Sequence, residues 1–270
     1  MRIIRYMIGL FLLIAVCWEG EVIRLQESCV PDGYQKQEEK SEKIQEEEIQ
    51  EEKFYMEKHI IRGEHISKES VRQEENGMFT SSEITDEIWN RIRGKSYKED
   101  TTIPLSKLRY LKLAYYGFDE QVHMGEMIVN ASIADDVLSI FEALYDIKYP
   151  IEKMELVDVY DADDNASMEA NNTSAFNFRY IEGTKTYSRH AKGLAIDINP
   201  YYNPYVVPTK DGQAIYPKSA KVYADRSLDC PYYIKEGDAC YHIFTEHGFT
   251  WGGDWNRKKD YQHFEKEMEN

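Results

Sequence analysis

The chain has 270 residues, of which 42% are hydrophobic and 13% aromatic, a composition that suits one sizeable globular domain with additional segments. It carries 33 Lys and Arg against 49 Asp and Glu, which gives a net charge of −16 at pH 7. This charge argues against nucleic acid as a partner and against adsorption to anionic lipid, because both need clustered basic side chains.

The N-terminus has the pattern of a targeting segment. Arg2 and Arg5 precede an uncharged, mostly apolar run from Met7 to Trp18. A transmembrane helix needs roughly 20 apolar residues, so this shorter run fits the core of a signal peptide better. We therefore expect a secreted or cell-envelope protein in which residues 1–20 are a cleaved signal peptide or an N-terminal membrane anchor. Cys17 leaves a lipid-anchored form open.

Residues 21–80 are predicted to be a charged linker. Glu, Lys and Gln dominate residues 35–53, and so few apolar side chains cannot offset the entropy lost on ordering. The segment is expected to be partly disordered or a lone charged helix, and to hold a domain at residues 81–270 away from the membrane. A coiled coil is the other interpretation, but no heptad of apolar positions is present.

Two helices and one strand are predicted in the first half of this domain. Apolar residues recur at helical spacing in Thr85–Arg93 and again in Ser132–Tyr145, where two aspartates occupy the first turn. Glu155–Tyr160 alternates and is rich in Val and Leu, which predicts a strand, followed by a polar turn at Asp161–Ala166.

Cysteine spacing leaves two possibilities open. Cys230 and Cys240 are close in sequence and, in an exported protein, could close a short disulfide loop or remain unpaired thiols. No C-x-x-C spacing occurs, so a thiolate zinc site is not expected. Gly248 follows His242 and His247 and is predicted to be the residue after a helix.

A strand near the middle of the domain brings a carboxylate next to a histidine. Leu194, Ile196 and Ile198 alternate with smaller or polar residues, so Asp197 lies on the opposite face from the core. Gly193 permits a tight turn that returns His190 towards Asp197. Alone, this pair is compatible with zinc binding or with an ordinary hydrogen bond.

The C-terminal segment favours the metal. His263 supplies a third ligand, and three protein ligands with one open position are typical of a catalytic zinc. Asp260, three residues earlier, is placed to act as a general base on water.

These motifs together resemble a known family. The pattern S-x-H-x-x-G-x-A-x-D from Ser188 to Asp197, followed by D-x-x-H from Asp260 to His263, resembles the zinc D-alanyl-D-alanine carboxypeptidases and their relatives. Those relatives include L-alanyl-D-glutamate endopeptidases, D-Ala-D-Ala dipeptidases and the hedgehog signalling domain. Segments 197–200, 251–255 and 263–265 resemble the bacterial cell-wall branch. The resemblance covers about residues 85–268 and implies an α+β fold, with a small antiparallel sheet and helices packed on one side.

The resemblance also implies roles for individual residues. His190, Asp197 and His263 would bind zinc, and Asp260 would activate water. An arginine upstream of the first histidine would hold substrate and stabilise the oxyanion. Arg179 is the candidate, although it lies closer to His190 than in several family members, which makes Arg189 the alternative.

Four further residues have two interpretations each. Ser188 would hydrogen-bond around the metal site or cap a turn. Asp254 would orient a ligand or close the Gly-Gly turn. Trp251 and Trp255 would form walls of the substrate cleft or pack in the core.

The function that the resemblance implies is zinc-dependent D,D-carboxypeptidase action on peptidoglycan stem peptides, by a protein expected to be monomeric. L-alanyl-D-glutamate endopeptidase action is the first alternative, because it uses the same metal residues. A non-catalytic, zinc-stabilised module that binds envelope peptides, or serves as an envelope spacer, is the other.

Overall fold

Residues 77–181 and 184–268 are described by the computed structural model. The predicted targeting segment, including Cys17, and nearly all of the predicted linker lie outside the described residues. Within the described part of the chain, no helix combines the length and apolar character that crossing a membrane requires.

The first sheet is antiparallel, with strand order β1-β2-β3. Its strands are β1 (Phe79–Ser82), β2 (Leu108–Tyr116) and β3 (Val122–Asn130). Helix α1 (Asp86–Ile92) lies between β1 and β2 in sequence, and the Thr85 hydroxyl caps it by accepting a hydrogen bond from the Ile88 amide. The helix predicted at Thr85–Arg93 is therefore confirmed.

Helix α2 (Ala134–Asp146) covers this sheet and also contacts helix α4 (Ala239–Glu246). Its buried residues follow helical spacing and form the centre of the main core. The predicted helix at Ser132–Tyr145 is confirmed, although a 3-10 turn at Ala131–Ile133 takes its first residues. Gly248, with φ of +78°, follows the α4 cap residue His247, as predicted.

A second antiparallel sheet has the order β4-β9-β7. Its strands are β4 (Ala195–Asp197), β7 (Thr250–Trp251) and β9 (His263–Glu265). Phe264 at its centre stacks on Phe244 of α4 with ring centroids 4.0 Å apart. This contact fixes the sheet against the same core that α2 covers.

The third sheet, also antiparallel, has the order β6-β5-β8. Hairpin strands β5 (Tyr205–Thr209) and β6 (Gly212–Tyr216) pair with β8 (Lys259–Asp260). A short helix α3 (Asp164–Glu169) and several 3-10 turns complete the described elements; the turns lie at Leu105–Lys107, Val157–Tyr160, Arg189–Lys192, Lys218–Ala224 and Gly252–Asp254. The α+β class is confirmed, with the strands divided among three small sheets.

The strand predicted at Glu155–Tyr160 is wrong. A 3-10 turn forms at Val157–Tyr160, because the buried Asp158 carboxylate accepts hydrogen bonds from the Ser96 amide at 3.0 Å and the Ser96 hydroxyl at 2.8 Å. The apolar alternation does not correspond to one buried face, since Val157 is buried and Val159 is 57% exposed.

The disulfide between Cys230 and Cys240 is also not formed, and both cysteines are free thiols. Cys240 lies on the inner face of α4, one turn before Phe244, and is fully buried. It contributes as a small apolar side chain, a common role for an unpaired cysteine. Burial raises the pKa of its thiol well above the ordinary value.

Candidate metal centre

Strand pairing places the first two predicted ligands side by side. Asp197 at the end of β4 lies directly opposite His263 at the start of β9 in the antiparallel register. The His263 Nδ1 atom is 3.0 Å from Asp197 Oδ1. Cross-strand neighbours have Cβ atoms about 5 Å apart, so the backbone alone brings these side chains together.

A tight turn delivers the third ligand. The Ser188 hydroxyl accepts a hydrogen bond from the His190 amide and caps the 3-10 turn that carries His190. Gly193 ends the turn with φ of +65°, and a Cβ there would lie 2.7 Å from the Asn130 amide nitrogen. The tight turn predicted at Gly193 is therefore confirmed.

His190 lies close to both of the other predicted ligands. Its Nε2 atom lies 3.2 Å from Asp197 Oδ2 and 3.1 Å from His263 Nδ1. All three ligand atoms are within 4.8 Å of one another, and all three residues are buried.

Outer hydrogen bonds orient both imidazole rings. His190 Nδ1 faces the Ala175 carbonyl at 2.6 Å, and His263 Nε2 faces the Glu265 carboxylate at 3.0 Å. When each ring carries its single proton on the nitrogen that faces this outer acceptor, the other nitrogen keeps a lone pair towards Asp197. Two such lone pairs and a carboxylate could together hold a metal ion.

The electrostatics of the cluster favour a cation. Burial opposes ionisation of Asp197, yet the two histidines hold its pKa well below the ordinary value. Burial likewise opposes protonation of His263, but Asp197 and Glu265 raise its pKa to about 10. Both shifts show that positive charge is stabilised here. A nitrogen–nitrogen–oxygen ligand set with one open position suits zinc.

A cavity of about 500 Å³ opens onto the three ligands. Asp260 from β8 lines it, and the Asp260 Oδ1 atom is buried with no hydrogen-bond partner among the described residues. Burial, with the nearby charge of Asp197, raises the Asp260 pKa to about 6. An unpartnered carboxylate oxygen beside a metal site is available to accept a proton from water.

Both candidate arginines line the cavity. Arg179 Nη2 forms an ion pair with Asp164 Oδ2 at 2.9 Å, while Arg179 Nε is buried and unpartnered within the described structure. Arg189 is ion-paired with Glu267 and lies 4.0 Å from Glu265. Arg179 therefore keeps a free donor for a substrate oxygen, whereas Arg189 is occupied by two carboxylates.

Comparison with known families gives a match in the same region. Residues 182–266 match the family model described as D-alanyl-D-alanine carboxypeptidase, and this match confirms the family resemblance. It contains His190, Asp197, Asp260 and His263, whereas Arg179 lies just before it. No curated protein and no solved structure matches the chain.

The match indicates a carboxypeptidase-like metallopeptidase.

The remaining predicted site residues of this metallopeptidase lie in different places. Trp255 lines the cavity, with its ring centroid 5.4 Å from that of His263. Trp251 is buried in the core, where its indole N–H donates to the Tyr261 carbonyl at 2.9 Å. Asp254 is exposed and lines a separate, smaller concavity. Ser188 lines the main cavity and acts as the turn cap.

Three neighbours of the metallopeptidase site carry no role in the sequence prediction. Glu265 follows His263 at the i+2 spacing of a strand, a signal that it shares the face of the ligand. The Ala175 carbonyl has no side-chain signal at all. Lys258, two residues before Asp260, lines the same cavity.

Proposed function

We propose that the chain is a zinc-dependent D,D-carboxypeptidase that hydrolyses D-Ala-D-Ala termini of peptidoglycan stem peptides. The observation that carries this proposal is the buried His190–Asp197–His263 cluster. It faces the same cavity as Asp260, whose Oδ1 atom has no hydrogen-bond partner among the described residues. The family match supports the reaction class, and its printed description supports the substrate.

The residues divide the work of peptide hydrolysis. A zinc ion held by the three ligands would polarise the scissile carbonyl and lower the pKa of the attacking water. Asp260 takes a proton from that water and passes it to the leaving amine. Arg179, through its free Nε donor, stabilises negative charge on the carbonyl oxygen in the transition state.

Asp260 distinguishes catalysis from mere binding. Burying a carboxylate oxygen without a partner is costly, and a zinc-stabilised binding module gains nothing from it. Strained or unsatisfied groups of this kind concentrate at active sites. The buried oxygen therefore supports an enzyme over a non-catalytic envelope module.

We also propose that the enzyme is extracytoplasmic and monomeric. The segment before residue 81 would either anchor it to the membrane or, after signal-peptide cleavage, leave it free of the membrane. The pattern of residues 1–20 and the location of peptidoglycan support this placement.

Digestion of purified muropeptides tests the proposed function. Mass spectrometry should show loss of a single terminal alanine from pentapeptide stems, and this loss should stop on chelation. Release of fragments cut between L-alanine and D-glutamate would indicate the endopeptidase instead. Zinc at full stoichiometry without cleavage of any wall peptide would contradict an enzymatic role.

A further inference from the structure

We propose that Lys258 binds the terminal carboxylate of the substrate and thereby makes the site an exopeptidase site. This inference rests on the proposed function, and it concerns the C-terminal end of the peptide substrate, which a carboxypeptidase must recognise.

Lys258 is the cation at this cavity that is both held in place and free of an acidic partner. Arg179 and Arg189 are paired with Asp164 and Glu267, respectively. No carboxylate of residues 77–181 or 184–268 forms an ion pair with the partly buried Lys258. In a chain with 49 acidic residues, an unneutralised ammonium at a pocket is available for an anionic ligand.

Two aromatic rings hold this ammonium. Lys258 Nζ lies 4.5 Å from the ring centroid of Trp255 and 5.2 Å from that of Tyr205. Cation–π contacts of this kind position an ammonium without neutralising its charge. Tyr205 in turn lies opposite Asp260 in the pairing of β5 with β8. The same pair of strands therefore positions both the Tyr205 ring, which contacts the Lys258 ammonium, and the proposed general base.

The neighbouring lysine provides the contrast. Lys259 Nζ donates to the Gly253 carbonyl at 2.8 Å and lines the smaller concavity, whereas Lys258 and Asp260 both line the main cavity. Lys258, in the bend just before β8, is therefore the lysine of this pair that faces the same cavity as Asp260.

The position of Lys258 fits a carboxylate next to the scissile bond. The Trp255 ring, which it contacts, is itself 5.4 Å from the His263 ring, so one aromatic ring separates the ammonium from a metal ligand. In a carboxypeptidase substrate the terminal carboxylate lies one residue beyond the scissile carbonyl. In an endopeptidase substrate an amide occupies that position and gains nothing from a cation.

A comparison of acid and amide substrates tests this role. Acyl-D-Ala-D-Ala and its C-terminal amide are given to the zinc-loaded full chain and to its Lys258→Met variant. We expect kcat/KM for the acid to fall roughly 10- to 100-fold in the variant, mainly through KM, because a charge-assisted contact is lost. The amide should change less than about threefold, since it offers no charge to the ammonium.

Two further variants complete the test. Lys258→Arg should retain most of the activity on the acid, because it keeps the charge. Lys192→Met removes an exposed lysine that lines the same cavity but contacts neither aromatic ring, and both substrates should be unaffected. Equal losses on acid and amide in Lys258→Met, or no loss on the acid, would overturn the role of Lys258.

Binding separates failure of this inference from failure of the proposed function. If the wild-type chain cleaves neither substrate, the proposed function fails, and affinities of both compounds are measured by calorimetry on the zinc-loaded protein. Tighter binding of the acid that disappears in Lys258→Met would still support the carboxylate site. Equal binding of acid and amide would refute it.

Discussion

At the scale of single residues, Asp260 is the side chain on which the proposed chemistry depends most. Its Oδ1 atom is buried without a partner in the described structure, beside the three ligands but not among them. Asp260→Asn should therefore reduce kcat roughly 10²- to 10⁴-fold, the usual contribution of a general base, while zinc stays bound. Steady-state kinetics and metal analysis of one sample check both parts. A variant with near-normal turnover would exclude Asp260 as the base.

The same carboxylate predicts a pH dependence. Burial and the neighbouring Asp197 raise its pKa to about 6, and only the ionised form accepts a proton. The rate should therefore rise with pH as Asp260 loses its proton. A bound dication lowers that pKa, so the acid limb of the kcat/KM profile should lie at or below about pH 6. The limb should be absent from any residual activity of Asp260→Asn.

His263 makes a separate prediction about the metal. His263→Ala removes one of the three ligands and leaves only Asp197 and His190 to hold the metal. Zinc should be lost on dialysis, which atomic absorption measures. Asp254→Ala is the control, because Asp254 is exposed and lines the other concavity, and this variant should keep its zinc.

The sequence predicts some residues of the site better than others. His190 and Asp197 stand in a stretch whose alternation and glycine predict a strand and a turn. His263 stands in the D-x-x-H motif that carries the family resemblance, and the structure brings these three together. Lys258 and the Ala175 carbonyl could not be predicted in the same way. The position of Lys258 depends on the pairing of β5 with β8, and that of the Ala175 carbonyl depends on which segment packs against the His190 ring. The spacing of residues in the sequence predicts neither.

At the scale of elements, the turn that carries His190 depends on Gly193. A Cβ at this position would meet the Asn130 amide nitrogen at 2.7 Å, in addition to the strain of φ at +65°. Gly193→Ala should destabilise the fold by about 2–4 kcal/mol and weaken zinc binding, because β3 would push the turn away.

A matched control separates strain from collision. Gly94 has φ of +75°, but a Cβ there would meet nothing within 4 Å. Gly94→Ala should cost only about 1 kcal/mol and leave zinc affinity unchanged. Denaturant melts and zinc titrations of the two variants measure the difference, and equal effects would show that the contact with β3 is unimportant.

Element prediction from the sequence succeeds where apolar periodicity and acidic first-turn residues agree. Helices α1 and α2 have apolar residues on one face and favourable first turns, and both form where predicted. Glu155–Tyr160 fails because the buried hydrogen bonds of Asp158 to Ser96 override the β propensity of Val and Leu. The division into three sheets has no local signal, since it depends on pairing between distant segments.

At the scale of the whole molecule, we expect a metal bound at this site to contribute to stability. The ligands join β4, β9 and the turn before β4, and a ligand that binds only the folded state stabilises it. With free zinc at 100 times the Kd, the gain is about 2.7 kcal/mol, which corresponds to a rise in Tm of roughly 5–10 °C for a domain of this size. Chelation should reverse that rise, and His263→Ala should show no response to chelator.

The register between β4 and β9 has a consequence for how the chain tolerates insertions and deletions. Asp197 meets His263 because the two are direct partners, and side chains alternate between faces along a strand. Only the turn at residues 261–262 separates Asp260 in β8 from His263 in β9, so one residue added or removed there would shift the pairing of β8 with β5 or of β9 with β4 and displace the base or the ligand. The same change in the hairpin loop between β5 and β6 moves no site residue. Length variation among functional homologues should accordingly concentrate in that hairpin and be absent from the three-residue step between base and ligand.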